Sequence, residues 1–175
     1  CKASGQIRGG NPGYGVRVQY MVDQYAGIGV TFAKEGTVDL TPFESITFDY
    51  KTQNTNPVLF MLATTNITNY AYNLVALTGS TTWKTQTVRM SDLQLPNWSP
   101  STQKDVRVSE KMQWQIETKE NGTLWIDNVK LTLKAGTLPG QDIMALLSGS
   151  SPVLRIGAAR TGSGEGLRVY RDGSV

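Results

Sequence analysis

The stretch "GTLWIDNVKLTL", Gly122 to Leu133, decides how the chain is read. Leu124, Ile126, Val129, Leu131 and Leu133 supply a nearly regular apolar row, with one slip of register around Asp127-Asn128. Alternation with a period of two sends successive side chains to opposite faces of a strand, one onto a core and one toward solvent. Two features resist that simple reading. Trp125, a large apolar residue, stands on the face opposite the apolar row, and an acid–amide pair is set into the middle of the strand.

The same alternation recurs upstream. "YGVRVQYMV" puts Val16, Val18, Tyr20 and Val22 on one side, "AGIGVTFA" aligns Ile28, Val30 and Phe32, and "ESITFDYKT" aligns Ile46, Phe48 and Tyr50. "PVLFMLATT", "YAYNLVALT", "TWKTQTVRM" and "KMQWQIETK" follow, separated by Gly, Pro, Asn, Thr and Ser clusters. Eight strands at short intervals, with no crossover helices, predict an all-β chain of two packed antiparallel sheets. "SDLQLPNW" is the best short helix candidate before Gly136, and Pro96 stops it early.

After Leu133 the character changes. "KAGTLPG" is a linker by composition, "QDIMALLSG" is compatible with two helical turns, and "VLRIGAAR" and "EGLRVYRDG" suggest a short hairpin around "TGSG". Residues 1–135 are therefore expected to form the sandwich, and 136–175 a linker and tail. An isolated two-stranded hairpin is marginal in water, so the tail should dock on the sandwich or on something else, unless it is a truncated element.

Composition removes several classes of function. The chain has 175 residues, enough for one domain, and its hydrophobic content of 39% supports a real core. With no His and a single Cys, Ser–His–Asp, Cys–His and zinc-finger sites are excluded. The formal net charge is +3, from basic residues scattered along the chain, which gives no nucleic-acid footprint. No apolar run approaches the length of a membrane span. Abundant Thr, Ser, Asn, Gln and Gly suit a protein that is secreted or held at the cell surface. Cys1 has two readings: the lipidated first residue of a lipoprotein, or simply the start of a fragment.

The ordered series "GYGVRVQY … GIGVTF … SITFDYKTQ … LFMLATT … YAYNLVALT … TTWKTQTVRMSDL … MQWQIETKENGTLWIDNVKL" resembles the β-jelly-roll carbohydrate-binding modules of bacterial plant-cell-wall hydrolases, family 11 and its relatives in particular. The resemblance spans roughly residues 14 to 133. It implies a jelly-roll β-sandwich whose concave sheet holds a glucan chain in a groove. That sheet would contain "GIGVTF", "LFMLATT", "YAYNLVALT" and "MQWQIET", and the convex sheet "GVRVQYMV", "SITFDYKT", "WKTQTVRM" and "TLWIDNVKL". It further implies an attached catalytic domain as partner and a structural calcium near Asp127. The acidic N-terminal strand that helps hold that ion is not evident in "CKASGQIRGG", so Asp127 has the alternative of bonding nearby backbone amides.

A sugar is held by aromatic rings against its C–H faces and by amides or carboxylates at its hydroxyl rim. In "KMQWQIETK", Met112, Trp114 and Ile116 take the core positions, leaving Gln113, Gln115 and Glu117 on the concave surface. Gln113 and Gln115 are either a hydroxyl ladder or ordinary solvated positions. Tyr70 and Tyr72, expected on one strand face with Asn69 and Asn73 nearby, either line the groove or bury their rings. Tyr25 stands at the groove's lip, and Trp98 occupies a Pro- and Ser-flanked loop where burial is difficult. Trp83, Trp114, Tyr20 and Tyr50 fall on core parity, and Asp49 and Lys51 read as a solvated pair on the convex face. Trp125 then needs a cover, which Ile156, Leu167 and Val169 of the tail would supply, or it is a ligand platform.

Two rivals to a polysaccharide-binding module follow from the same residues. A jelly-roll glycosidase needs two carboxylates about 5 to 9.5 Å apart, and Glu117 has no evident partner on its face. A surface or adhesion scaffold without sugar binding would use the same sandwich.

Overall fold

The computed structural model describes residues 2–11, 13–22, 24–33, 35–101, 104–135, 154–155 and 168–169. Two antiparallel sheets pack face to face. The first has the order β1 (Lys2–Gly10), β2 (Gly13–Met21), β9 (Asn121–Leu133), β4 (Phe43–Thr52), β7 (Lys84–Arg89). The second has the order β3 (Ala26–Thr31), β8 (Ser109–Ile116), β5 (Val58–Thr64), β6 (Asn73–Leu77). Every expected strand lies in the sheet to which the jelly-roll resemblance assigned it. The departure is β1. "KASGQIRGG" lacks apolar alternation, yet its backbone pairs with β2 from Lys2 opposite Gln19 to Gly10 opposite Gly13, so the first sheet gains a fifth strand.

The core follows the alternation. Ile46, Phe48 and Tyr50 from β4 are fully buried, as are Phe60 and Leu62 from β5, and Met112, Trp114 and Ile116 are nearly so. Phe48 of one sheet stacks on Phe60 of the other at 5.1 Å between centroids, and Trp114 meets Phe48 edge-on at 5.1 Å. Offset and edge-on pairs of this kind add to the stabilisation from buried area. Three of the four aromatic residues assigned to the core are there. Trp83 is the exception: it precedes β7 rather than opening it, and is half-exposed on the convex side.

The slip at Asp127-Asn128 is a β-bulge. Asp127 pairs with Asp49 and Lys130 with Thr47, so Asn128 and Val129 together face Phe48. Asn128 takes the left-handed conformation at φ 49, which Asn tolerates better than most residues. After the bulge, Val129, Leu131 and Leu133 return to the core side.

"SDLQLPNW" is not helical: Gln94 forms a bridge to Leu74 on the free edge of β6, and a turn follows. The single described helical turn is the 3₁₀ segment Val106–Val108. In the tail, β10 (Leu154–Arg155) and β11 (Arg168–Val169) pair antiparallel, and the "TGSG" turn expected between them lies outside the described residues. The helical reading of "QDIMALLSG", Cys1, and the side chains of Ile156, Leu167 and Val169 lie outside the described residues.

Candidate functional site

Trp125 is half-buried, and its neighbours are on the sheet itself. The convex register sets Arg17, Trp125 and Lys51 side by side across β2, β9 and β4. The Lys51 ammonium lies 4.4 Å from the centroid of the Trp125 ring and 5.5 Å from that of Trp83. The cation is drawn to the negative face of each indole, which gives Trp125 a partner within the sandwich. Lys51 is therefore not paired with Asp49.

Asp49, expected to be solvated, is buried at 6% exposure. It accepts from Thr85 Oγ1, from Asn128 Nδ2 (2.7 Å) and from Asn11 Nδ2 (3.3 Å). Asp127 accepts from the backbone N–H of Asn11 (2.6 Å) and of Asn128 (2.8 Å), and Asn128 Nδ2 also donates to the Asn11 carbonyl. Two carboxylates opposite one another repel, and these amide donors offset the repulsion. Calcium wants six to eight oxygens. Here the carboxylate oxygens face N–H and hydroxyl donors, and no group of three or more His, Cys, Asp or Glu among the described residues is placed to hold a metal. As arranged, the Asp127 cluster fits an amide clamp rather than a calcium cage.

The concave face is of another kind. Its outward rows cross four strands: Gly29, Gln113, Met61 and Leu74 in one, and Gly27, Gln115, Leu59 and Ala76 in the next. A third begins with Thr31, Lys111 and Ala63. At the usual strand spacing, β3 to β6 span about 14 Å. Strand β5 is buried almost throughout, Met61 and Ala63 included, so it forms the low floor of the face. The uninterrupted apolar run "VLFMLA" was the signal for this, since a strand covered on both faces does not alternate. At Gly27 a methyl group would overlap the Trp114 carbonyl oxygen, which holds β3 close against β8 and leaves that side of the face bare.

Gln113 and Gln115 lie on the concave face and are hydrogen-bonded in series as a ridge along β8. Gln115 Nε2 donates to Glu117 Oε1 (2.9 Å), and Gln113 Nε2 donates to Gln115 Oε1 (3.2 Å) and to the Met61 sulfur (3.3 Å). Each Gln is half-exposed, so the rest of its hydrogen-bonding capacity faces outward.

Tyr70 and Tyr72 meet edge-on at 6.2 Å between centroids, but not on a strand. Strand β6 begins at Asn73, and a turn precedes it in which Ala71 N donates to Thr68 O (3.2 Å). Asn69 and Tyr70 have φ of 56 and 59, which costs a bulky residue conformational energy. That turn leaves Tyr70 79% exposed. The Tyr72 hydroxyl is pushed up from its ordinary pKa by burial first, then by the Glu110 charge and by Tyr70. Lys111 Nζ lies 5.7 Å from the Tyr72 ring centroid, a contact the sequence did not disclose. Asn73 is not at the surface; it faces the core beside Leu62 and is fully buried.

Trp98 is 60% exposed at the tip of the turn in which Ser99 N donates to Pro96 O (2.9 Å). Backbone bonds between Leu74 and Gln94 (2.8 and 3.0 Å) dock this loop on the edge of β6. Lys104 Nζ fastens it further through the carbonyls of Ser91 and Leu93, both at 2.8 Å. Tyr25, 67% exposed, stands just before β3, at the other side of the sheet. Three of the four exposed large apolar side chains among the described residues, Tyr25, Tyr70 and Trp98, thus border the concave sheet; the fourth is Met21.

No family model matches the sequence, and no curated protein matches it. Solved structures do. The family 11 carbohydrate-binding module from Clostridium thermocellum, in complex with a β-1,3-1,4-mixed-linked tetrasaccharide, superimposes with a TM-score of 0.61 at 22% identity. The match covers 75% of this chain and 82% of that one. The family 30 module of a cellulosomal cellulase of the same organism gives 0.57 at 14% identity, over 71% and 78%. An exo-β-agarase gives 0.54 at 18% identity, covering 82% of this chain and 23% of the agarase. The chain has the jelly-roll fold of the family 11 and family 30 carbohydrate-binding modules.

Proposed function

We propose that the concave sheet binds a single polysaccharide chain of the plant-cell-wall β-glucan class and carries out no chemistry on it. The observation that carries this reading is the half-exposed Gln113–Gln115 ridge beside a bare strand, with exposed aromatic rings at the borders. Amides that donate and accept at once match a row of hydroxyls, and the rings match sugar C–H faces. The family 11 neighbour that was solved with a mixed-linkage tetrasaccharide supports the choice of polymer. The acids Asp49 and Asp127 are on the convex sheet, which supports binding without hydrolysis.

The site is shallow and wet, so affinity should be micromolar to millimolar, about −4 to −8 kcal/mol. In an exported protein such a module would raise the effective concentration of an attached or partner hydrolase on its polymer. Affinity electrophoresis through gels carrying barley β-glucan, hydroxyethylcellulose, xyloglucan or xylan tests the reading. Retardation in at least one gel, relieved by Trp98→Ala, is expected. Free migration in all of them would reject it in favour of a scaffold without sugar binding.

A further inference from the structure

We infer that Glu117 is a positioning residue: it fixes the amide orientations of Gln115 and Gln113, and so sets the donor–acceptor pattern that the concave ridge offers to a hydroxylated ligand. The inference rests on the sugar-binding reading of that face and adds to it a residue that acts through another.

An ionised carboxylate can only accept hydrogen bonds, whereas a glutamine amide can turn either end toward a neighbour. With Glu117 Oε1 beside it, Gln115 must present Nε2, at 2.9 Å. Its Oε1 is then directed back along the strand, and Gln113 must meet it with Nε2, at 3.2 Å. The Met61 sulfur, itself a weak acceptor, receives the same Nε2 at 3.3 Å and agrees with that orientation. One charge at the end of β8 therefore sets two amides in sequence. What remains for a ligand is fixed as well: the Gln113 carbonyl oxygen accepts, and the second N–H of Gln115 donates. Glu117 itself is exposed and follows the last residue of β8, Ile116, so a change there leaves the core untouched.

Glu117→Gln removes the acceptor-only end while keeping size and polarity. The relay can then run in either direction, and only part of the population shows the original pattern. The dissociation constant for a mixed-linkage β-glucan oligosaccharide should rise about two- to fivefold. In the Gln115→Ala background the same change should cost nothing further, because the intermediary is gone. An equal loss in both backgrounds would show Glu117 touching sugar directly and overturn the inference, as would no loss in either.

The relay can also be read without sugar. In the free protein, Glu117→Gln should shift the side-chain NH₂ resonances of Gln115 and, through it, of Gln113. If Gln113 does not respond, the relay is rejected. A wild-type chain that binds no polymer would overturn the sugar-binding reading instead, and the free-protein spectra would still decide the relay.

Discussion

The two outer faces of this sandwich are built from the same alternation and put their polar groups to opposite uses. On the convex sheet the polar groups are turned on one another. Asp49 and Asp127 are taken up by amides and a hydroxyl, and Lys51 by two indole rings. On the concave sheet a bare β3, a sunken β5 and a half-exposed amide ridge leave hydrogen-bonding capacity outward. A face whose polar groups are saturated by neighbours contributes to stability, whereas a face with capacity left over can bind.

Both faces depend on the floor they share, so the largest effect should come from Trp114, which touches Phe48 of the convex sheet and Phe60 of its own. Trp114→Ala should cost about 3–5 kcal/mol in urea unfolding and impair both faces together. Asp49→Ala should separate them. Removing a buried acceptor of several donors should lower stability by about 2–3 kcal/mol while leaving polysaccharide retardation in gels unchanged. Because the carboxylates are held by amides, a chelator should leave the melting temperature of the wild type unchanged; a fall would restore the calcium expected at Asp127.

A third test concerns the end where the sheets are joined. Glu120, in the β8–β9 turn, accepts from Asn54 (2.6 Å) and Asn56 (2.7 Å) of the β4–β5 connection and from Tyr20 Oη (3.3 Å). Burial, then the Glu120 charge, pushes the Tyr20 hydroxyl up to about 12. The folded state thus holds this proton more tightly than the unfolded chain, whose tyrosine titrates near 10. The corresponding stability, on the order of 2 kcal/mol, is present below pH 10 and is lost as pH rises toward 12. Urea midpoints should fall across that window, and Tyr20→Phe should flatten this part of the fall. The smallest effect belongs to the convex ladder: Lys51→Ala should lower stability by about 0.5–1 kcal/mol in thermal or urea unfolding.

The strands, their partition between sheets and nearly all of the core were legible because period two is enforced wherever one face is buried. What stayed hidden depends on contacts distant in sequence. Strand β1 shows itself in its backbone pairing with β2, and "KASGQIRGG" carries no apolar mark of it. Asp49 is buried because Asn11 and Asn128 converge on it, and Trp83 sits outside because it shares the outward parity of Thr85 and Thr87, Val88 being the residue of β7 that faces the core. In the concave face, Gln113, Gln115 and Trp98 were readable as polar or aromatic residues with nowhere to be buried. Lys111 beside Tyr72 and the turn that exposes Tyr70 were not, since nothing local in the sequence dictates either.

The most direct test of the difference between the faces is a calorimetric titration with a mixed-linkage β-glucan tetrasaccharide. It would use the wild type, a concave variant (Tyr72→Ala) and a convex variant (Trp125→Ala). Micromolar to millimolar binding by the wild type and Trp125→Ala is predicted, with at least a tenfold loss in Tyr72→Ala, on the order of 1.4 kcal/mol or more. Loss in Trp125→Ala with Tyr72→Ala unaffected would put the ligand on the convex sheet and contradict the account.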